Sequence, residues 1–212
     1  MKRVKQCTGA AFFMVLSLSA LAHPHSFISL RTEAVADNGQ LTGFKMRWRM
    51  DEITSSDLLY DAGNAKPGDE VWKKLAAEVM ANVLGQHYFS ELWHNGQHVK
   101  FANRPDGYGL ERDGSQAVLT FTLSLAKPQP LAGQTLTLST YDPTYYVDMF
   151  YEKPGDFTLP AALSAECKVK VVTPKPNDKM TAFAQSLDKA DAPPEDMALG
   201  TYFAQKVTLT CR

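Results

Sequence analysis

The chain has 212 residues, of which 44% are hydrophobic and 21% charged, with a formal net charge of −1. That length and composition suit a globular protein with a real core. Lys and Arg are scattered rather than clustered, which argues against nucleic acid or an anionic membrane surface as a partner.

Residues 1–22 stand apart. Lys2, Arg3 and Lys5 give a positive start, and Ala20-Leu21-Ala22 gives a small-x-small cleavage pattern. Between them, residues 10–21 (AAFFMVLSLSAL) form an apolar run. A run of about a dozen residues reads as a secretory signal peptide, because a membrane span needs ~20. The expected cut after Ala22 leaves residues 23–212 as one periplasmic domain beginning at His23, with no membrane span. Cys7 precedes the apolar run, the wrong side for a lipidated start.

The mature chain opens on a hairpin. Residues 26–36 (SFISLRTEAVA) alternate, and 41–50 (LTGFKMRWRM) set Phe44, Met46, Trp48 and Met50 on one face, the period of half-buried strands. Asn38-Gly39 predicts the turn between them. Residues 51–60 read as a short helix carrying Ile53, Leu58 and Leu59 inward, and 61–69 as a loop. Residues 70–85 carry Val71, Trp72, Leu75, Val79, Val83 and Leu84 as a helical stripe, with Gly85 as the stop.

Strands are then expected over 87–94, 97–102, 117–125, 134–141 and 144–152. Asn95-Gly96 makes a second hairpin turn, and 127–133 (KPQPLAG) is a connection. Residues 166–172 form a further strand and 173–178 a Pro-rich link. Residues 178–190 form a weak amphipathic helix with Met180, Phe183, Ala184 and Leu187 on one side, which DAPPED then breaks. Residues 195–205 predict another helix, and KVTLTC closes as a strand. The expected fold is α+β, a predominantly antiparallel β-sandwich-like domain with inserted helices.

Signal removal leaves Cys167 and Cys211. Two cysteines in an exported protein pair more often than not. Their bridge would close a loop of about 45 residues, worth up to ~4 kcal/mol. They lack CxxC spacing and an adjacent His, which argues against a metal or catalytic role.

His23-Pro24-His25 is the first candidate site. A mature His23 offers its amine and its imidazole, and His25 offers a third nitrogen, a set that suits zinc, copper or nickel rather than calcium or magnesium. These nitrogens bind protons at mild acid, so metal binding should weaken there. Pro24 has no amide hydrogen, which blocks the square-planar mode that needs two deprotonated backbone amides. A solvated tail is the alternative. Asp51-Glu52 follows the second strand and reads either as a ligand pair on a rigid strand end or as an acidic helix start.

YDPTYYVDMFYE, residues 141–152, gathers Tyr141, Tyr145, Tyr146, Phe150 and Tyr151 around Asp142 and Asp148. Asp142-Pro143 signals a turn. Buried tyrosine hydroxyls need partners, so Tyr141, Tyr145, Tyr146 and Asp148 are candidates for groups supporting a polar site. His87, His94 and His98 carry no pairing signal, and His94 and His98 are expected to face solvent beside their turn. No GxSxG, HExxH or P-loop pattern occurs.

HPHSF after the signal, RWRMDEITSSDLL, YDPTYYV and the late cysteine pair together resemble a family of bacterial periplasmic proteins. The family is known as a domain of unknown function or as the periplasmic component of an ABC-type transport system, and it includes the Zev-type zinc-transport proteins. The resemblance spans residues 23–212 and implies a metal-binding role beside an inner-membrane permease of the nickel/cobalt type. By position it makes His23, His25, Asp51, Glu52 and Asp142 the metal site. Many relatives look similar to a calcium-binding loop over 61–70. Here Lys66 and Pro67 interrupt that pattern, so calcium is not expected.

The leading expectation is a non-enzymatic periplasmic accessory protein that binds a transition metal. Zinc is the expected ion, with copper or nickel as alternatives. Two other readings remain: a copper-dependent oxidative enzyme with an N-terminal histidine chelate, and a metal-free protein-interaction module.

Overall fold

The structure, a computed structural model, describes residues 24–187 and 198–212. The expected signal peptide, His23 and the DAPPED breaker lie outside them. The chain begins with strands β1 (Ser26–Asp37) and β2 (Gln40–Met50), then helices α1 (Glu52–Ala62) and α2 (Glu70–Gly85). Strands β3 (Ser90–His94), β4 (Gln97–Val99), β5 (Tyr108–Asp113), β6 (Gln116–Pro130), β7 (Thr135–Thr140), β8 (Val147–Phe150) and β9 (Phe157–Thr158) follow. Helix α3 (Ala161–Ser164), strand β10 (Cys167–Val172), helix α4 (Asp178–Ser186) and strand β11 (Lys206–Cys211) complete it.

The strands form two sheets. One has the order β5-β6-β2-β1-β8, with β9 also pairing β1, and the other runs β10-β11-β7-β3-β4. All pairings are antiparallel except those of β8 and β9 with β1. One core joins the sheets: Leu30, Phe44, Met46 and Trp48 from the first meet Leu92, Leu136, Leu138 and Leu209 from the second. The expected α+β sandwich-like fold is therefore the observed one.

The β1–β2 hairpin forms as its pattern dictates. Ile28 faces Met50, Leu30 faces Trp48 and Ala34 faces Phe44, all buried. Asn38 and Gly39 both adopt positive φ, as do Asn95 and Gly96, the conformation of type I′ turns.

Several boundaries move. Ile53 is 82% exposed rather than inward, because α1 buries Ser55, Leu59 and Ala62, a stripe spaced four and three that leaves position 53 on the outer side. Ser55 is buried because its hydroxyl accepts from Ala117 N at 2.8 Å. Strand β6 continues through most of the expected connection at 127–133, since Gln129 and Pro130 still pair with Leu41 and Gln40. Strand β5 was not expected: it is a sheet edge and fully buries only Leu110. Residues 97–102 pair as a strand only to Val99, with Phe101 making an isolated bridge to Leu125. The helix expected over 195–205 is a 3-10 turn at Leu199–Tyr202 within the described residues.

The largest departure is at 87–89, expected as strand. His87, Tyr88 and Phe89 have φ of 49°, 61° and 49°, a left-handed turn closed by Phe89 N to Gln86 O at 2.8 Å. Each such residue costs about 1–2 kcal/mol. Tyr88 holds the turn: it is buried, its hydroxyl donates to Ala102 O at 2.9 Å, and its ring stacks on Phe121. His87 itself is exposed. His87→Gly should therefore stabilise the fold by about 0.5–1 kcal/mol, since the relieved φ outweighs the extra chain entropy of glycine. Urea denaturation reads this, and a clear loss of stability would show that the turn is not strained.

Candidate functional site

The first sheet brings the N-terminus and the YDPTYY stretch to one corner. Strand β8 lies parallel to β1, pairing Ser26 with Val147 and Phe27 with Asp148. His25 N donates to Tyr146 O at 2.9 Å, and their rings lie 5.0 Å apart. Strand alternation then sets His25, Phe27, Tyr146 and Asp148 on the outer face of the sheet. Asp51 closes the corner from β2, with its N–H donating to Phe27 O at 2.9 Å.

Four carboxylates were candidates or supports here, and the structure separates them. Asp51 caps α1. Its Oδ1 accepts from Thr54 N at 2.8 Å, and its Oδ2 accepts from Phe27 N at 2.6 Å and Thr54 Oγ1 at 2.8 Å. Burial would raise its pKa, but these donors outweigh burial and hold the group below the usual carboxylate range. Glu52 is exposed and accepts from Ser115 Oγ at 2.6 Å. That directs it toward the β5–β6 turn.

Asp142 is buried and organises its own loop. Its carboxylate accepts from Thr144 N at 2.9 Å, Thr144 Oγ1 at 2.9 Å and Val147 N at 3.0 Å. It shapes the loop that delivers Tyr146 to His25. Asp148 differs from all three. It is half-buried, no hydrogen bond or ion pair reaches its carboxylate among the described residues, and burial pushes its pKa up.

The tyrosines of this stretch disperse rather than ring one site. Tyr146 meets His25. Tyr145 adopts a φ of 58° and stacks on Phe203 with centroids 3.9 Å apart. Burial, with the charge of Asp148 adding, pushes its phenol up to about 12. Tyr141 points the other way, toward Glu91, and burial together with that carboxylate raises its phenol. Tyr151 is a core residue whose hydroxyl pairs with Thr32 Oγ1 at 3.0 Å. Phe150 is half-buried on β8.

Among the described residues, no three His, Cys, Asp or Glu side chains gather closely enough to hold a metal ion. The corner supplies one imidazole and one undonated carboxylate, and His23 lies outside the described residues. His94 corrects its solvent-facing expectation: it is half-buried, with Nδ1 2.9 Å from Gln129 Oε1 and Nε2 2.9 Å from Gln134 Oε1. His87 and His98 are exposed. Cys167 and Cys211 form the expected disulfide.

A concavity of about 770 Å3 lies across the outer face of the first sheet. Three of its cations are in ion pairs: Arg47 with Glu111 and Asp113, Arg31 with Asp156, and Lys45 with Glu33. No helix among the described residues is long and apolar enough to cross a membrane.

Asp148 was foreseen only as a supporting group. What sets it apart is its place two residues after Tyr146 on the strand that docks beside the N-terminus, and the parallel pairing that brings it there is long-range.

A family model described as "Protein of unknown function (DUF1007)" matches residues 8–211. A Haemophilus influenzae protein described as "Uncharacterized protein" is 42% identical over 201 residues, which cover 93% of this chain and 95% of that protein.

Proposed function

The chain belongs to the DUF1007 family, and we propose that this member is a periplasmic metal-binding accessory protein that hands zinc to, or takes it from, an inner-membrane metal permease of the nickel/cobalt type. The observation that carries the reading is the half-buried Asp148 carboxylate, which lacks a donor among the described residues and shares a sheet face with His25. A carboxylate in that state favours a cation. The ligands would be the His25 imidazole, Asp148, and the amine and imidazole of a mature His23, a nitrogen-rich set with one oxygen that fits tetrahedral zinc. Asp51, Glu52 and Asp142 fit less well, because their oxygens are engaged in capping α1, in the Ser115 contact and in the 142–147 loop. The resemblance to Zev-type zinc-transport proteins supplies the transport setting. A ligand set completed by the mature terminus couples metal binding to export and signal cleavage.

The test uses protein purified from the periplasm with its native terminus, checked by intact mass for a His23 start. Calorimetric zinc titration should show one site. His25→Ala and Asp148→Asn should each weaken it at least about tenfold, and Glu52→Gln should leave it unchanged. Zinc binding as tight in both variants as in the parent would sink this assignment. Copper with peroxide-dependent activity would favour the oxidative-enzyme reading instead, and protein that takes up no metal would favour the interaction module.

A further inference from the structure

The left-handed turn at His87–Phe89 walls a second cleft, of about 660 Å3, whose lining includes neither His25 nor Asp148. That volume is in the range that holds small molecules. Leu84, Phe89 and Phe101 give it an apolar side. Its single acid, Glu91, is already engaged: Trp93 Nε1 donates to Oε2 at 3.2 Å, and the Tyr141 phenol lies beside the same carboxylate. Gln86, Ser90 and Asn103 add neutral groups that both donate and accept. Lys100, His87 and His98 line the cleft, and their side chains make no hydrogen bond or ion pair among the described residues. The cleft therefore offers an apolar wall, one uncompensated cation and no free acceptor charge.

The backbone at this wall is unusual. Three successive non-glycine residues in the left-handed region occur only where surrounding contacts hold them. Here Tyr88 anchors the turn in the core, and Tyr141 N donates to Phe89 O at 2.7 Å. A direct run from α2 into β3 would avoid the strain and would remove the wall. Strain of this kind gathers at ligand sites.

We infer that this cleft binds a small organic monocarboxylate with a flat apolar body, its carboxylate on Lys100 and its body against Phe89 and Phe101. A monoanion matches the one lysine. A phosphate ester carries about two charges near neutral pH, and the second would face Glu91.

The test uses 2-naphthoate and its neutral counterpart 2-naphthamide as probes, with 15N-labelled mature protein and NMR shift mapping. Naphthoate should bind about tenfold more tightly than naphthamide, as one charge-assisted contact predicts. Its shifts should centre on Phe101, Tyr141 and the Trp93 indole. Lys100 is exposed, so Lys100→Ala should fold normally and erase the preference, whereas Lys127→Ala on the neighbouring surface should not. Equal affinity for the two probes, shifts centred elsewhere, or no saturable binding would overturn the inference. None of these outcomes bears on zinc, so the two sites fail or stand separately.

Discussion

Replacing Cys167 and Cys211 together by alanine should cost about 3–4 kcal/mol and lower Tm by roughly 10 °C. The two residues face each other in the β10–β11 register, 44 positions apart in sequence. Closing a loop of that length removes a large part of the conformational freedom of the unfolded chain. The folded side of the balance gives little in return if the bridge is lost. Strand β10 is a sheet edge, its Lys168 and Lys170 face solvent, and Val169 and Val171 are only half-buried. The segment inside the loop packs largely in a separate small cluster around Ala184, Leu187 and Leu199. The bridge therefore fastens a weakly packed flank to β11, which itself pairs with β7 in the body of the second sheet. Thermal denaturation followed by circular dichroism, with and without reductant, checks this. A Tm within about 2 °C of the parent would show that packing alone holds the flank.

The hairpin was legible because two independent signals agreed: alternation on both strands and Asn-Gly between them. Strands β6, β7 and β11 alternate over a buried face without such a turn, and β6 was legible only to residue 125. The misreadings occur where local pattern and long-range contact disagree. Ile53 looked like a core residue by type, but the stripe of α1 is set by Leu59 and by the Ser55–Ala117 hydrogen bond, whose partners lie 62 residues apart. His87-Tyr88-Phe89 has good strand propensity, yet burial of Tyr88 against Phe121 from β6 overrides it.

The site divides along the same line. Asp51, read as either ligand or helix start, makes the helix-capping contacts, and both readings were present in its position before a helix. Asp142 was placed in the metal site by the resemblance, while its Asp-Pro turn signal pointed to the loop chemistry it makes with Thr144. Asp148 could not be singled out by any local rule. Its isolation follows from β8 lying parallel to β1, a pairing between segments about 120 residues apart that propensity and periodicity do not encode.

Gly200→Ala should damage both the fold and the proposed metal corner. A Cβ at Gly200 would lie 1.9 Å from Asp142 O and 2.9 Å from Asp142 C. Both are backbone atoms, so the loop must move by about 1 Å rather than a side chain swing aside. Gly200 N also donates to Pro143 O at 2.9 Å, which fixes the two segments against each other. Movement of Asp142 disturbs its bonds to Thr144 and Val147, and with them the seat of Tyr146 beside His25 and of Asp148 beside Phe27. The expected loss is about 2–4 kcal/mol of stability, with zinc affinity down about tenfold or more if Asp148 is a ligand. Gly43→Ala is the matched control. Its Cβ would meet Leu123 O at 2.5 Å and Ser124 Cα at 2.9 Å, a comparable backbone clash at the opposite end of β2 from Asp51. It should lower stability by about 1–3 kcal/mol and leave zinc affinity unchanged. Urea denaturation and zinc calorimetry on both variants separate the effects. If the two lose zinc equally, the loss reports general destabilisation and the link from Gly200 through Asp142 to the corner is wrong. If Gly200→Ala is as stable as the parent, the close approach of the 3-10 turn to the Asp142 loop is not what holds that corner.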